Sequence, residues 1–188
     1  ISACLVGSEM CIRDRFNVDN GWKIVVFKVE WTDSTALEKA YVTPGPNFND
    51  EIAKLQKWTG ISFGEDQSSV LKKFGRPDEK NEEFARYKRK GFTVGYTSQW
   101  DLWVESFFIQ SPNYKTEREV RVGDSEALIK ERYGLGYDMS TWMSGKSKVK
   151  TYSYRDYTSS KLMEFKAING KITEIFFIDW TQEQKIQR

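Results

Sequence analysis

Gly64 to Gly75 reads GEDQSSVLKKFG, and Gly123 to Gly134 reads GDSEALIKERYG. The two stretches align without a gap. Gly meets Gly at both ends, Glu65 meets Asp124, Val70 meets Ile129, Lys73 meets Arg132, and Phe74 meets Tyr133. Each reads as one short helix. Asp66 and Ser125 are candidate N-caps, because a short side-chain oxygen there can accept from the unpaired amides of the first turn. Val70 and Phe74, like Ile129 and Tyr133, lie four apart and share one face. Basic residues sit towards the C-terminal end, where the helix dipole favours them. Gly75 and Gly134 supply the left-handed position that closes a helix. Pro77 then stops the first one.

Strand signals follow each helix. After the first come Phe84–Lys88, Phe92–Thr97 and Leu102–Gln110; after the second come Thr151–Asp156, Lys161–Ile168 and Ile172–Asp179. Asn169-Gly170 is a strong two-residue hairpin signal. The closing strands also correspond, ESFFI from Glu105 against EIFFI from Glu174. The second unit is longer by ten residues, around Tyr137 to Lys150. The expected fold is α+β: two tandem α-β-β-β units, each a short helix packed on a three- to four-stranded antiparallel sheet. The first unit covers 46–112 and the second 113–181, joined at Ser111-Pro112-Asn113, with 182–188 as a tail.

The stretch before these units divides in two. Leu5 to Arg15, LVGSEMCIRDR, resembles the translation of a transposon-type sequencing adapter. Residues 1–15 are therefore set aside as an adapter-derived scar, expected to contact little else. With them go Cys4 and Cys11, both cysteines of the chain. On this reading the natural start of the protein is missing, so no leader or lipid-attachment site can be sought. Residues 16–45 form an N-terminal strand segment. Asn20-Gly21 predicts a hairpin turn, with a buried run at Ile24–Phe27. NGWKIVVFKVEWT (20–32) and NGKITEIFFIDWT (169–181) share their first two residues, a central Phe and an acid-Trp-Thr ending. The first is either the last hairpin of a truncated earlier repeat or an ordinary hairpin strand. Pro44-Gly45-Pro46 breaks the chain, and Asn49 can cap a helix over 50–58.

Composition limits the chemistry. There is no His among the 188 residues, which removes the commonest general base and neutral metal ligand. No metal-ligand cluster, phosphate loop, dinucleotide fingerprint or nucleophile elbow is present. No metal or cofactor is expected. The net charge of +2 sets up no strong field towards nucleic acid or acidic membranes. No apolar run approaches the ~18 residues that span a bilayer. Arg89-Lys90-Gly91-Phe92 opens like an RNA-recognition fingerprint, but Thr93-Val94-Gly95 breaks it. Glu105 and Glu174 are the carboxylates a small hydrolase would pair. Their matching repeat positions instead predict equivalent places, where a catalytic pair needs closeness and unlike environments. The chain therefore reads as no enzyme.

What remains is aromatic surface. Phe107 and Ile109 point one way on their strand, Val104 and Phe108 the other; Phe176 and Ile178 oppose Ile175 and Phe177. Helices cover one face of such a sheet, and the other must meet something. Tyr96, Trp100, Trp103, Trp142, Tyr152 and Tyr154 lie on or beside these strands and are the expected binding residues, since Trp and Tyr are the usual interface anchors. If the two sheets close on each other, these rings are core. If they lie side by side, the rings form a shared concave surface, overhung by a mobile loop near Trp142. The second geometry is the expectation.

A helix opened by Gly-x-Asp or Gly-x-Ser and closed by Phe-Gly or Tyr-Gly, then three antiparallel strands, twice over, resembles the β-lactamase-inhibitory-protein-like fold. It is also similar to the small lipoprotein of the outer-membrane β-barrel assembly machinery. The resemblance covers about 46–181. It implies a bacterial, extracytoplasmic protein, secreted or lipid-anchored, whose sheet holds another protein. The absence of Cys outside the first fifteen residues departs from the disulfide-bearing inhibitors, so β-lactamase inhibition is not carried over. The expected function is a non-catalytic protein-binding module without nucleic-acid binding or membrane insertion. The alternatives are a small carboxylate-dependent hydrolase and a purely structural repeat of a longer envelope protein.

Overall fold

The computed structural model describes residues 43–97 and 102–181 in full, and the backbone of residues 2–6, 9–18 and 21–30. Ile1–Lys39 and Ala40–Arg188 are two compact units. In the first, β1 (Ser2–Val6), β2 (Glu9–Val18) and β3 (Gly21–Glu30) form an antiparallel sheet in that order. Within it Cys4 pairs with Cys11 in register, and Arg15 with Ile24. Gly21 pairs with Val18, so it belongs to the ladder rather than to the turn expected at Asn20-Gly21.

The second unit holds three helices among its described residues: α1 (Phe48–Thr59), α2 (Gln67–Phe74) and α3 (Ala127–Tyr133). Its strands are β4 (Glu79–Lys80), β5 (Phe84–Tyr87), β6 (Phe92–Tyr96), β7 (Val104–Ile109), β8 (Asp138–Ser144), β9 (Ser147–Asp156), β10 (Lys161–Ile168) and β11 (Lys171–Asp179). They make one antiparallel sheet in the order β4-β5-β6-β7-β11-β10-β9-β8. The α+β class stands. The expected separation into two small sheets does not, because β7 and β11 pair directly, from Ile109 against Ile175 to Ser106 against Ile178.

Asn47, not Asn49, caps α1; its Oδ1 accepts from the Asn49 amide at 3.2 Å. Asp66 caps α2 as expected, accepting from the Ser69 amide at 2.9 Å and from two serine hydroxyls. These bonds hold its carboxyl well below the usual Asp range. Ser125 does not cap α3: Glu126 holds the cap position without a side-chain bond, and the Ser125 hydroxyl accepts from the Ala127 amide at 3.4 Å.

Both helix starts are tied to the sheet in one way. The amides of Gly64 and Gly123 donate to the carbonyls of Val104 and Ile172, each at 2.8 Å. Val104 and Ile172 donate back to Glu65 and Asp124, each at 2.9 Å. The acids after these glycines close the turn: Glu65 accepts from the Ser62 amide and Asp124 from the Arg121 amide. Gly75 and Gly134 sit at φ 72°, ψ −157° and φ 70°, ψ −165°, a region only glycine enters freely.

Val70, Ile129 and Tyr133 are fully buried on one side of the sheet, with Phe74 packed against them. The sheet contributes Tyr87, Phe92, Val94, Phe107, Ile109, Tyr152, Phe165 and Phe177 to this core. Two bulges interrupt the alternation. The register shifts between Gly95 and Tyr96, leaving Glu105 as the extra residue, and between Lys166 and Ala167, leaving Thr173. The first bulge turns Val104 onto the helix side, where it is fully buried, against its expected orientation beside Phe108.

Candidate binding surface

Residues directly opposed in a ladder share a face, so the register sorts every side chain. Tyr152 opposes Phe165, which opposes Ile175, which opposes Ile109, which opposes Phe92; this row lies under the helices. Thr93 opposes Phe108, Phe108 opposes Phe176, and Phe176 opposes Glu164; this row lies on the second face.

The expected binding residues divide accordingly. Tyr96, Tyr152 and Tyr154 are core residues on the helix side, which corrects their assignment to a shared open surface. Tyr154 donates to the Gly134 carbonyl at 3.0 Å and lies against Tyr133 and Phe165. Tyr152 meets the edge of Tyr137, ring centroids 5.0 Å apart. Burial pushes all three hydroxyls above the ordinary tyrosine range. The physical reason is parity: on β9 the rings fall on even positions, and those positions face α3. Trp103 is half-buried at an isolated bridge to Asp66. Trp100 lies outside the described residues. Trp142 is 43 % exposed and occupies the second face, opposite Val149.

The segment around Trp142 is no loop. Residues 138–156 are the β8–β9 hairpin, turned at Gly145 with φ 60°. All seven β8 residues are exposed, which hides a strand from any pattern that alternates buried with exposed.

The second face carries rings not singled out from the sequence as a site. Phe108 and Phe176 pack at 4.6 Å between centroids, both half-buried, at the centre of the sheet. Phe84 lies on the same face opposite Gly95, where the missing side chain leaves room for Ser106. Leu162 and Ile178 oppose each other there, buried yet outside the helix-side core. Strand alternation separates Phe108 from Phe107 and Phe176 from Phe177, and the β7–β11 register brings Phe108 and Phe176 to one face. Charges ring this apolar centre, with Arg86, Glu164, Lys166 and Glu174 half-exposed on the same side.

The carboxylates of a hydrolase do not meet. Glu174 accepts from Gln110 at 2.7 Å. In the β7–β11 register that places it five residues along from the position facing Glu105, about 16 Å at ~3.3 Å per residue. Paired glycosidase carboxylates stand about 5–10 Å apart. Glu51 is a different case. It is 1 % exposed, accepts from Tyr133 Oη at 2.5 Å and from the Glu117 amide at 2.9 Å, and burial raises its pKa. It is sealed among Tyr133, Tyr114 and α1. Among the described residues no group of three or more His, Cys, Asp or Glu could hold a metal ion, and no helix is long and apolar enough to cross a membrane.

No family model matches the chain, and no curated protein matches it. Among solved structures it is similar to an extracellular protein containing a SCP domain from Bacillus anthracis str. Ames. The identity is 10%, over 65% of this chain and 46% of that one, with a TM-score of 0.41. The chain thus matches less than half the length of that protein, and likeness at this level assigns neither fold family nor role.

Proposed function

We propose that the protein is a non-catalytic, extracytoplasmic protein-binding module whose contact surface is the second face of the eight-stranded sheet. The observation that carries this reading is the Phe108–Phe176 pair. Two rings in contact sit on the face opposite the helices, with Phe84 on the same face and charged residues at the margin. An apolar centre with a polar rim is the usual anatomy of a protein interface. Trp142 extends the same face towards β8. The extracytoplasmic setting, and the kinship to inhibitory-protein-like and assembly-lipoprotein folds, rest on the repeated helix-and-strands pattern.

The same reading takes 46–112 and 113–181 as tandem units. It is supported by the repeated bonds from Gly64 and Gly123, by the two bulges, and by a strand order that reads alike from both edges. Under it, Phe108 corresponds to Phe176, because each follows by four residues the strand position, Val104 or Ile172, that accepts from the matching Gly64 or Gly123 amide. The correspondence then runs one residue away from the Glu105–Glu174 match read in the sequence.

Phe108→Asp with Phe176→Asp tests the reading. The double variant should keep its helical and strand circular dichroism and lose capture of the protein that the natural chain retains from an extracellular extract. Undiminished capture of that same protein by the folded variant would refute the surface. Unfolding of the variant would make the rings structural, and Phe108→Ser with Phe176→Ser then repeats the measurement at lower cost to the fold.

A further inference from the structure

The two edges of the eight-stranded sheet are built differently. β4 is two residues long, both charged, and follows Pro77 by one residue. Short, charged and proline-flanked edges are how sheets prevent further pairing. β8 is seven residues long, DMSTWMS, with neither Lys nor Pro, and exposes Met139 at 54 % and Met143 at 62 %.

The backbone of β8 has a defined polarity. The hairpin closes Ser144 against Ser147 across the two residues Gly145-Lys146. In a two-residue hairpin the flanking pair exchanges hydrogen bonds, and bonded and non-bonded pairs then alternate. Ser144, Trp142, Ser140 and Asp138 therefore bond inward to β9. Met139, Thr141 and Met143 turn their amides and carbonyls outward. No described residue outside β9 pairs with β8.

We propose that this edge pairs with the β8 of a second copy, antiparallel about Thr141. Only odd positions face outward, so odd must meet odd. The register centred on Thr141 is the one that engages all three: Met139 with Met143, Thr141 with Thr141, Met143 with Met139. Three such pairs make six backbone hydrogen bonds. Side chains agree with this register. The methionines meet in two pairs on the helix side, one to each side of Thr141, and Ser140 faces Trp142 on the other. Asp138, the single charge in β8, faces Ser144 with Lys146 diagonally beyond, so no like charges are opposed. The symmetry is two-fold and closed, because β4 gives the eight-stranded sheet no second free edge to continue a fibre. The assignment goes beyond the partner-binding reading and does not rest on it. It joins two second faces into one surface.

Sedimentation velocity of the full chain over a concentration series tests the pairing, with a dimer expected. Thr141→Pro removes an outward amide and leaves the β9 ladder intact, so it should give a folded monomer. If that variant misfolds, the methionines provide an independent test. Met139→Lys with Met143→Lys opposes like charges twice and should weaken the dimer about tenfold or more. Met139→Glu with Met143→Glu should do the same. An equimolar mixture of the Lys and Glu variants should restore the dimer, since every opposed pair then carries opposite charges. A natural chain that stays monomeric at millimolar concentration overturns the proposal. So does a dimer that both charge variants leave unchanged, or one that their mixture fails to restore. A monomer whose β8 amides become protected only on adding an extended foreign peptide also overturns it, and assigns the edge to a different occupant.

Discussion

Phe74 and Tyr133 end α2 and α3 at matching places, but only one of them is sealed. Phe74 is half-buried, leaning on Tyr87 and Phe92 with the Lys90 ammonium 5.0 Å from its ring centre. Tyr133 is fully buried against Tyr154 and Phe165, with the Arg118 guanidinium 4.9 Å from its ring centre. Arg118 also donates to the carbonyls of Pro44, Gly45 and Arg132, each at 2.6 Å. The one added oxygen of Tyr133 accounts for much of the contrast. It reaches Glu51 of α1 and makes a buried carboxylate part of the core. Two helices of the same pattern can thus differ in how deeply they anchor through a single hydroxyl.

The largest test truncates both rings. Tyr133→Ala should cost about 3–5 kcal/mol in chemical denaturation, as full removal of a buried ring does, and Phe74→Ala about 2 kcal/mol because its ring is partly wet. Equal losses would erase the contrast. Next in size are Gly75→Ala and Gly134→Ala. Each forces a Cβ into a backbone region reserved for glycine, and each should cost about 1–3 kcal/mol. Nothing stands within 4 Å of a Cβ at Gly75, so its cost there is purely conformational. Similar losses at both sites would show that the helix ends differ in their rings alone.

Tyr133→Phe is smaller. Losing one charge-assisted bond in the interior should cost about 1–3 kcal/mol at neutral pH. A neutral result would mean that Glu51 finds another donor.

The smallest effect lies in the pH dependence. Burial is the main cause that raises Glu51 above the ordinary glutamate value, opposed by the bonds from Tyr133 and Glu117. The folded state then holds the proton more tightly than the unfolded state. Its contribution is complete below the ordinary value and is lost as pH rises through the folded value. Asp66, Glu79, Glu119 and Asp156 are shifted the other way, so they act with opposite sign and in a lower window. Unfolding free energy should therefore rise through the acid range and then fall just above the ordinary glutamate value. Glu51→Gln should remove the fall, and Tyr133→Phe should steepen it. A fall that persists unchanged in Glu51→Gln would place its origin at another group.

Much of the second unit was legible because its signals are local. Asp66, Gly75, Gly134 and the faces of Val70, Ile129 and Tyr133 follow from caps, positive φ and four-residue spacing. So do the positions of β5, β6, β7, β9, β10 and β11, to within a few residues. Three things were not. The pairing of β7 with β11 joins residues far apart in the chain, and no local pattern encodes it. Val104 changed face because Glu105 bulges, and a bulge has no signature in alternation. β8 looks like a loop in sequence because a strand wet on both sides shows no period. The site suffered most, since a ring on β9 looks the same in sequence whether it faces α3 or open space. Only the register separates Tyr152 from Thr151, and only the β7–β11 pairing brings Phe108 and Phe176 to one face.

The position of β11 sets a problem of timing. It is the last of the described strands to leave the ribosome, yet it lies at the centre of the sheet, between β7 and β10. A nascent chain that has made everything up to Ile168 holds two half-sheets with an open side each, one along β7 and one along β10. β7 at that stage presents Phe107 and Phe108 beside unpaired amides, a template for any extended chain nearby. Nine residues, Lys171–Asp179, then close both sides at once. A message truncated just before them would yield a sticky fragment, not a smaller stable protein, so the integrity of the eight-stranded sheet is decided within that one strand.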